Sequence, residues 1–396
     1  MTEQTEGLDS TGGGSDSESA RLTVDLGALR ANYRRLAVSA PRTAAVVKAN
    51  GYGTGAVPAF EALCAEGCRD FFVATVEEGA ELRRAFAERS MERGLLPSGR
   101  RRLAAGRIRA ANSRGDREAV ASRIYVFSGP LNDGGAQTMA RNDLTPVLND
   151  EIQVRRWTPY RELPVAVHVD TGMHRLGFPW DALSADLFEG LNVRVVLSHL
   201  ANADEPADPM TDRQIDRFAR ATTVFPGAIT SLANSAGALS GVASDMTRAG
   251  IALYGGNPFA TQRNPMRPVA TLEARVLALR QVGRGEPVGY RGTHTTTAET
   301  CIAVLGIGYA DGVPRVLSAD ARVAWRGSRL PIIGRVSMDL MHIDATTVSD
   351  GIALGDWVEI FGSTVGVDEI AAWAGTISYE MLTRIGSRAR RTYVDN

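Results

Sequence analysis

Lysine is nearly absent from this sequence. Of its 44 basic residues, Lys48 alone is a lysine and the rest are arginines. Arginine serves well in surface ion pairs, but its guanidinium stays protonated, so it neither forms a Schiff base nor acts as an amine nucleophile. A chain that has kept one amine makes Lys48 the first residue to explain. Cysteine is also scarce: Cys64, Cys68 and Cys301 are too few and too scattered for a disulfide framework or a zinc site, and no metal site is expected. No apolar run reaches the roughly 18 residues that a membrane-spanning helix needs, so no membrane partner is expected. The first 20 residues hold no apolar stretch. They carry five acids and no base among glycines and serines, and read as a disordered acidic tail rather than a secretory leader. A cytoplasmic location follows as the expectation. The formal net charge of −1 argues against an obligate polyanionic partner.

What is present is a regular alternation. From residue 21 to 262, short apolar segments rich in β-branched residues alternate with helical stretches. Eight such strands can be counted, the first predicted over 44–49 and the last over 247–253. Strands apolar on both alternations are covered on both faces, and eight of them with crossover helices over about 240 residues fit a (β/α)8 TIM-type barrel. A doubly wound open sheet is the alternative, though no GxGxxG follows the first strand. From 263 to 396 the helices give way to strands separated by Gly and Pro turns, which predicts a mainly antiparallel β domain, with a helix expected over 367–385. One stretch fits neither pattern. Arg83 to Arg123 holds 12 arginines against 4 acids. It reads as a solvated insertion, about 89–120, more readily than as a nucleic-acid patch, because no aromatic residue lies among the arginines from 89 onward.

In a barrel, chemistry sits at the carboxyl ends of the strands. Those ends carry Lys48 and Tyr52, then Arg175 in the run from His168 to Gly177, His199, Asn234 with Ser235, and Arg248 followed by Gly250 and Ile251. An amine, two guanidiniums, an imidazole, a phenol and a Ser/Gly pair would share one mouth. It has no carboxylate pair for glycoside work. Positive neighbours lower the pKa of a buried lysine and free its lone pair to attack a carbonyl. Loops after the last two strands commonly hold phosphate in barrels, a task suited to Ser235 and the amides of Gly250 and Ile251. A phosphorylated aldehyde that reacts with lysine points to pyridoxal phosphate.

The run Val47-Lys48-Ala49-Asn50-Gly51-Tyr52-Gly53 resembles the cofactor-lysine motif of the alanine racemases, the fold-type III pyridoxal-phosphate enzymes. Seven further segments match in order: 170–177, 198–205, 231–236, 248–255, Gly289-Tyr290, 306–315 and 334–339. The resemblance implies a barrel followed by a β domain, a homodimer whose active sites draw on both chains, and interconversion of L-alanine and D-alanine, supplying D-alanine for peptidoglycan. It implies Lys48 as the Schiff-base lysine and the base for the D-enantiomer. Tyr290, from the partner chain, would be the base for the L-enantiomer, because inverting a carbon requires proton transfer on both faces. A phenol needs cationic neighbours to act near neutral pH, and His199 backed by Arg248 is the expected one. Arg248 would face the cofactor ring nitrogen. Arg175 would hold the cofactor phenolate and the substrate carboxylate, and the Met338 amide would bind that carboxylate too. Tyr52, Asn234, Ser235, Gly250 and Ile251 would cradle the phosphate. Tyr309 and Asp311 resemble residues at the family's substrate entrance. His174 and His294 read as surface or loop residues.

The chain departs from the family pattern in three places. Where many members carry a lysine, often carbamylated, seven residues before the barrel arginine, this chain has His168, so Arg175 must be oriented by His168 or by a bound anion. Ser387 stands where some members have a phosphate-binding tyrosine. The arginine-rich insertion has no counterpart. Competing readings are a broader amino-acid racemase, acting for example on serine or basic amino acids, a basic amino-acid decarboxylase, and a non-catalytic cofactor-binding protein. Arg248 and Ser337 argue against the decarboxylase, which uses an acid and a cysteine at those places. Tyr290 and Met338 argue against the non-catalytic protein, which lacks the β domain.

Overall fold

The computed structural model describes residues 18–92, 122–317 and 320–396. The arginine-rich insertion from residue 93 onward and the first 17 residues of the acidic tail lie outside the described residues. The chain forms two units. One comprises Thr23–Ala270, Gly366–Arg384 and Tyr393–Asn396; the other comprises the described part of Met1–Leu22 together with Thr271–Val365 and Ile385–Thr392. Among the described residues, no helix is long and apolar enough to cross a membrane.

The first unit is a nearly closed parallel barrel of eight strands. In spatial order these are Met246–Ala249, Arg42–Val46, Asp70–Val73, Arg123–Val126, Leu144–Leu148, Pro164–Asp170, Asn192–Leu197 and Ile229–Ser231. Strands such as Asp70–Val73 and Leu144–Leu148 are buried at every position, as a sheet covered by helices requires. The helices are started by acceptor side chains that bind otherwise unpaired first-turn amides. Asp25 accepts from Ala28, Asn132 from Gly135, Asp150 from Gln153 and Asp208 from Met210. The barrel's last gap is bridged outside the ladder. Ser231 Oγ donates to the Met246 carbonyl at 2.7 Å, and the Arg248 amide to the Ala233 carbonyl at 2.9 Å.

Three predicted elements end earlier or break. The first barrel strand stops at Val46 instead of Ala49, because the chain turns left-handed after Lys48. The last stops at Ala249 instead of Leu253, and Ile251–Tyr254 forms a 3-10 turn because Ser235 Oγ takes the amides of Gly250 and Ala252. The helix expected over 367–385 is two, Val367–Trp373 and Ser378–Thr383, parted at Gly375 with φ +67°.

The second unit is built on antiparallel strands. The 13-residue strand Ala270–Val282 pairs with Trp357–Phe361 through its first half and with Thr300–Leu305 through its second, with a bulge between Val276 and Ala278. The sheet continues from Thr300–Leu305 through Met341–Asp344, Ser328–Ile333 and Arg322–Trp325 back to Trp357–Phe361, so six strands close on themselves. Bulges supply the local twist that such closure needs. Ala20–Asp25 and Arg390–Val394 extend this sheet beyond Ala270–Val282. Ala20, expected within the acidic tail, is buried in a strand.

At the amino ends of three neighbouring barrel strands, the buried Asp70 accepts a bidentate pair from Arg123, Nε at 2.6 Å and Nη2 at 2.8 Å, and the Tyr125 hydroxyl at 3.2 Å. Arg42 stands 3.7 Å away. This end of a barrel serves stability rather than chemistry. Arg123→Ala would leave a buried carboxylate with one distant cation, and should lower the unfolding free energy by about 3 kcal/mol. Urea denaturation checks this; a loss below about 1 kcal/mol would show that Arg42 alone compensates.

Candidate active site

The turn that carries Lys48 is left-handed. Ala49, Asn50, Gly51 and Tyr52 all have φ between +52° and +60°. Such a conformation costs about 1–2 kcal/mol for each residue with a Cβ, and strain of this kind persists only where surroundings hold it. Here Glu78 takes the Ala49 amide on Oε1 at 2.7 Å while its Oε2 takes the Ala74 amide at 2.7 Å. Asn50 Oδ1 takes the Ala56 amide at 2.9 Å. Gly53 follows at φ +80°, where a Cβ would fall 2.1 Å from the Leu382 carbonyl oxygen. The turn aims the Tyr52 side chain inward. Its ring stacks on Tyr254 at 4.6 Å between centroids, and its hydroxyl lies 2.5 Å from where a Cβ on Gly250 would be. Gly250 is thus a glycine because Tyr52 fills that space.

Lys48 is mostly buried, with Nζ 5.7 Å from the centre of the Phe127 ring. Burial and the nearby Arg175 push its pKa below the ordinary lysine value, against the pull of Glu78. Arg248 is buried on the last barrel strand. Its Nη1 donates to Ser231 O at 2.7 Å and Ser231 Oγ at 2.8 Å, and its Nη2 to Ser198 O at 2.5 Å and His199 Nδ1 at 3.3 Å. Burial and Arg175 push it down to about 9, which leaves it cationic at neutral pH. Asn234 caps the short helix Ser235–Leu239 by accepting from Gly237.

Arg175 is exposed, beyond a loop organised by Asp170. Burial disfavours the charge of Asp170, but the amides of Gly172, His174 and Met173 outweigh it and hold the carboxyl below its ordinary range. Arg175 makes no hydrogen bond or ion pair to a described residue. His168, near enough for Arg175 and Arg248 to depress its titration, bonds through Nδ1 to Asn149 Oδ1 at 2.8 Å. The expected direct contact between Arg175 and His168 is not formed.

One expectation is corrected. His199 was expected to be a cation, but a guanidinium can only donate, so Nδ1 accepts from Arg248. Burial, then Arg248 and Arg175, hold the pKa well below 6.5. His199 is neutral, with its remaining N–H on Nε2.

The other predicted residues lie in the second unit. Tyr290 opens a 3-10 turn between the short paired strands Pro287–Val288 and His294–Thr295. Tyr309, Asp311 and Met338 are brought together: Tyr309 N donates to Ser337 O and Ala310 N to Met338 O, both at 3.0 Å. Arg388 clamps this cluster with two bonds to Asp311, at 2.7 and 2.9 Å, and one to Asp339 at 2.7 Å. Asp311 Oδ2 also takes the Gly308 amide. The Met338 amide makes no hydrogen bond to a described residue, and Ser387 is exposed.

A family model described as alanine racemase, N-terminal domain, matches residues 24–258, and one described as alanine racemase, C-terminal domain, matches 269–393. The chain belongs to the alanine racemase family. It is 40% identical to an alanine racemase of Methylobacterium sp. (strain 4-46), covering 95% of this chain and 98% of that one. It is also 40% identical to a biosynthetic alanine racemase of Agrobacterium fabrum, covering 94% and 93%. Among solved structures, it resembles alanine racemase from Bartonella henselae with covalently bound pyridoxal phosphate, with TM-score 0.80, 33% identity, and coverage of 95% and 99%. Biosynthetic alanine racemase from Pseudomonas aeruginosa gives TM-score 0.81 and 32% identity, with the same coverage.

Residues that support this family's mouth here were missed by the sequence reading. Glu78 takes the Ala49 amide beside Lys48, Asn149 bonds His168, Gln153 braces Asn149, and Gln214 Nε2 donates to the His199 carbonyl at 2.9 Å. Local signals were the cap spacings Thr75 to Glu78 and Asp150 to Gln153.

Two measurements test this geometry. Gly250→Ala should cost about 1–3 kcal/mol of stability through overpacking, and clearly less in a Tyr52→Phe background, which lacks the clashing hydroxyl; equal costs in a double-mutant cycle would refute the contact. The unfolded chain protonates its histidines near pH 6.5, whereas His168 is held down to about 3, by burial first and then by Arg248 and Arg175. Folded stability should therefore fall as pH drops below about 6.5. His168→Gln should flatten that fall in urea titrations at pH 7.5 and 5.5, and an unchanged slope would contradict the assignment.

Proposed function

We propose that this protein interconverts L-alanine and D-alanine with pyridoxal phosphate on Lys48, in a homodimer whose second copy completes each site, and that it supplies D-alanine for peptidoglycan. The observation that carries the reading is a half-buried lysine, its pKa lowered, beside cations whose nearby acids are engaged by backbone amides. That donor set suits a phosphorylated aldehyde and a substrate carboxylate. The Tyr52 hydroxyl, brought against Gly250, and the Ser235 hydroxyl are donors suited to a phosphate. The cofactor, when bound, supplies an electron sink that acidifies the α-hydrogen of an amino acid.

The residues divide the remaining work. Lys48 Nζ moves the proton on one face of the α-carbon, and its lowered pKa keeps a lone pair accessible. Tyr290 of a second copy moves it on the other face. The phenol is 69% exposed in the single chain, and Met338 53%, so these groups stand free for a second copy to cover. Neutral His199 presents its Nε2–H toward the mouth and passes on the polarising effect of Arg248 without carrying a full charge. Arg248, held by four bonds, would serve the cofactor's ring nitrogen as a donor that gives up no proton. Tyr52, Asn234, Ser235, Gly250 and Ile251 would cradle the phosphate, with Ser235 Oγ accepting the Gly250 amide. Arg175 and the Met338 amide bind the substrate carboxylate. Asp311, whose carboxylate is occupied by Arg388, shapes the substrate entrance that Tyr309 lines.

The test is chiral analysis of L-alanine incubated with the purified protein and pyridoxal phosphate, with serine, lysine and arginine as competitors for the role of substrate. Alanine should racemise fastest, and a faster rate on another amino acid would overturn the alanine reading. Lys48→Arg should abolish both the visible cofactor absorbance and its fixation to the chain by borohydride. Tyr290→Phe should keep the cofactor and lose racemisation, and α-proton exchange of L-alanine at the wild-type rate in that variant would refute the two-base scheme.

A further inference from the structure

The strand Asn192–Leu197 ends just before His199, so the backbone that carries this imidazole needs partners outside the ladder. Ser198 N still reaches Ser231 O at 3.1 Å, and Ser198 O is taken by Arg248. The groups beyond are met by Gln214, a fully buried residue of the helix Pro209–Thr222. Its Oε1 accepts the Ala201 amide at 2.8 Å. Its Nε2 donates to His199 O at 2.9 Å and to Thr171 Oγ1 at 3.0 Å. A backbone N–H only donates and a backbone carbonyl only accepts, so the side-chain amide has a single orientation.

The junction extends to the neighbouring loop. Thr171 is also fully buried, and its Oγ1 lies 2.8 Å from Ser198 Oγ. Arg217 Nη1 donates to Thr171 O at 2.9 Å. Gly172, at φ +133°, leaves room for the same helix: a Cβ there would fall 2.7 Å from Met210 Cε and 2.8 Å from Arg217 Nη1. Positions 210, 214 and 217 are spaced by four and three residues, so they share one helix face. Of the three, Gln214 alone bonds on both sides of His199.

We propose that Gln214 is the positioning residue for His199: by accepting the Ala201 amide and donating to the His199 carbonyl, it fixes the backbone from which the imidazole turns Nδ1 to Arg248. His199 is thereby gripped at two points, its carbonyl by Gln214 and its ring by Arg248 at 3.3 Å. A glutamine that only filled the core would leave the ring indifferent to the loss of its amide. The kinetic part of the inference rests on the alanine reading above; the tautomer part does not.

The experiment uses the full chain with cofactor, labelled with 15N-histidine, and His199→Gln to assign the signal. Wild-type His199 should show an unprotonated Nδ1 and a protonated Nε2, and hydrogen on Nδ1 would overturn the proposal. Gln214→Met keeps the volume and loses all three bonds. Nδ1 should then carry hydrogen in part of the molecules. The kcat for L-alanine should fall about tenfold or more, as for a buried hydrogen bond left unmade, with a smaller change in KM. Thr171→Val removes only the third bond and should keep the wild-type His199 signals. Wild-type signals in Gln214→Met, or the same change in both variants, would overturn the positioning role. If Gln214→Met does not fold, Gln214→Asn takes its place: it keeps the amide but is one methylene too short to reach Ala201 N and His199 O together, and the same two outcomes decide. If the wild-type chain leaves alanine unchanged, the alanine reading falls while the tautomer result stands or falls on its own.

Discussion

Fold and site meet at the buried guanidinium of Arg248. The last two barrel strands share no ladder, and Arg248 spans that place with bonds to Ser231 O, Ser231 Oγ and Ser198 O. A buried cation is tolerated only when its donors are taken up, and here the acceptors are Ser231 O and Oγ and Ser198 O at the strand ends. One side chain therefore helps close the barrel, fixes which nitrogen of His199 accepts, and sets a positive potential at the mouth. Removing it would leave strand ends, an imidazole and the site unsatisfied together.

That potential organises the rest of the site. Lys48, Arg175 and Arg248 act on one another and on two histidines, and none of the three forms an ion pair with an acid of the described residues. Acids are present near by, but each is occupied by backbone: Glu78 by the amides of Ala49 and Ala74, Asp170 by the amides of its own loop. The acids shape the turns that carry the cations and do not neutralise them. The net effect is an amine with a lowered pKa, two neutral histidines and an unbalanced positive mouth, which is a set of conditions for an anionic carbonyl cofactor and a carboxylate substrate.

The backbone around Lys48 shows how much structure this takes. Three residues with a Cβ adopt left-handed angles in succession, at a cost that the turn's own bonds do not meet. Glu78, from the helix Val76–Glu92 beyond the next strand, and the Tyr52–Tyr254 stack hold it. The strain directs Tyr52 to the space that Gly250 leaves empty, so the strand-1 and strand-8 loops are shaped against each other. The stability of the amino ends of the strands, where Arg123 and Tyr125 enclose Asp70, is chemically separate from all this.

The class of the fold was legible in the residues alone, as was the lone lysine at a strand end that the proposed chemistry uses. Period-two apolar segments alternating with helices specify strands covered on both faces, and a single lysine among arginines singles itself out. Ordered motifs such as Val47–Gly53 and Gly289-Tyr290 were legible because they are contiguous. Only the tertiary structure decided what depends on residues far apart in the chain. It ended two strands early, joined Ala20–Asp25 to the sheet of Ala270–Val282, held His199 neutral, and tied Asp311 to Arg388. It also joined Asn149 and Gln153 to His168, a link across 19 and 15 residues. The physical reason is that titration, tautomer and strain are set by burial and by which partner's lone pair or hydrogen lies within about 3 Å, and neither is encoded in local spacing.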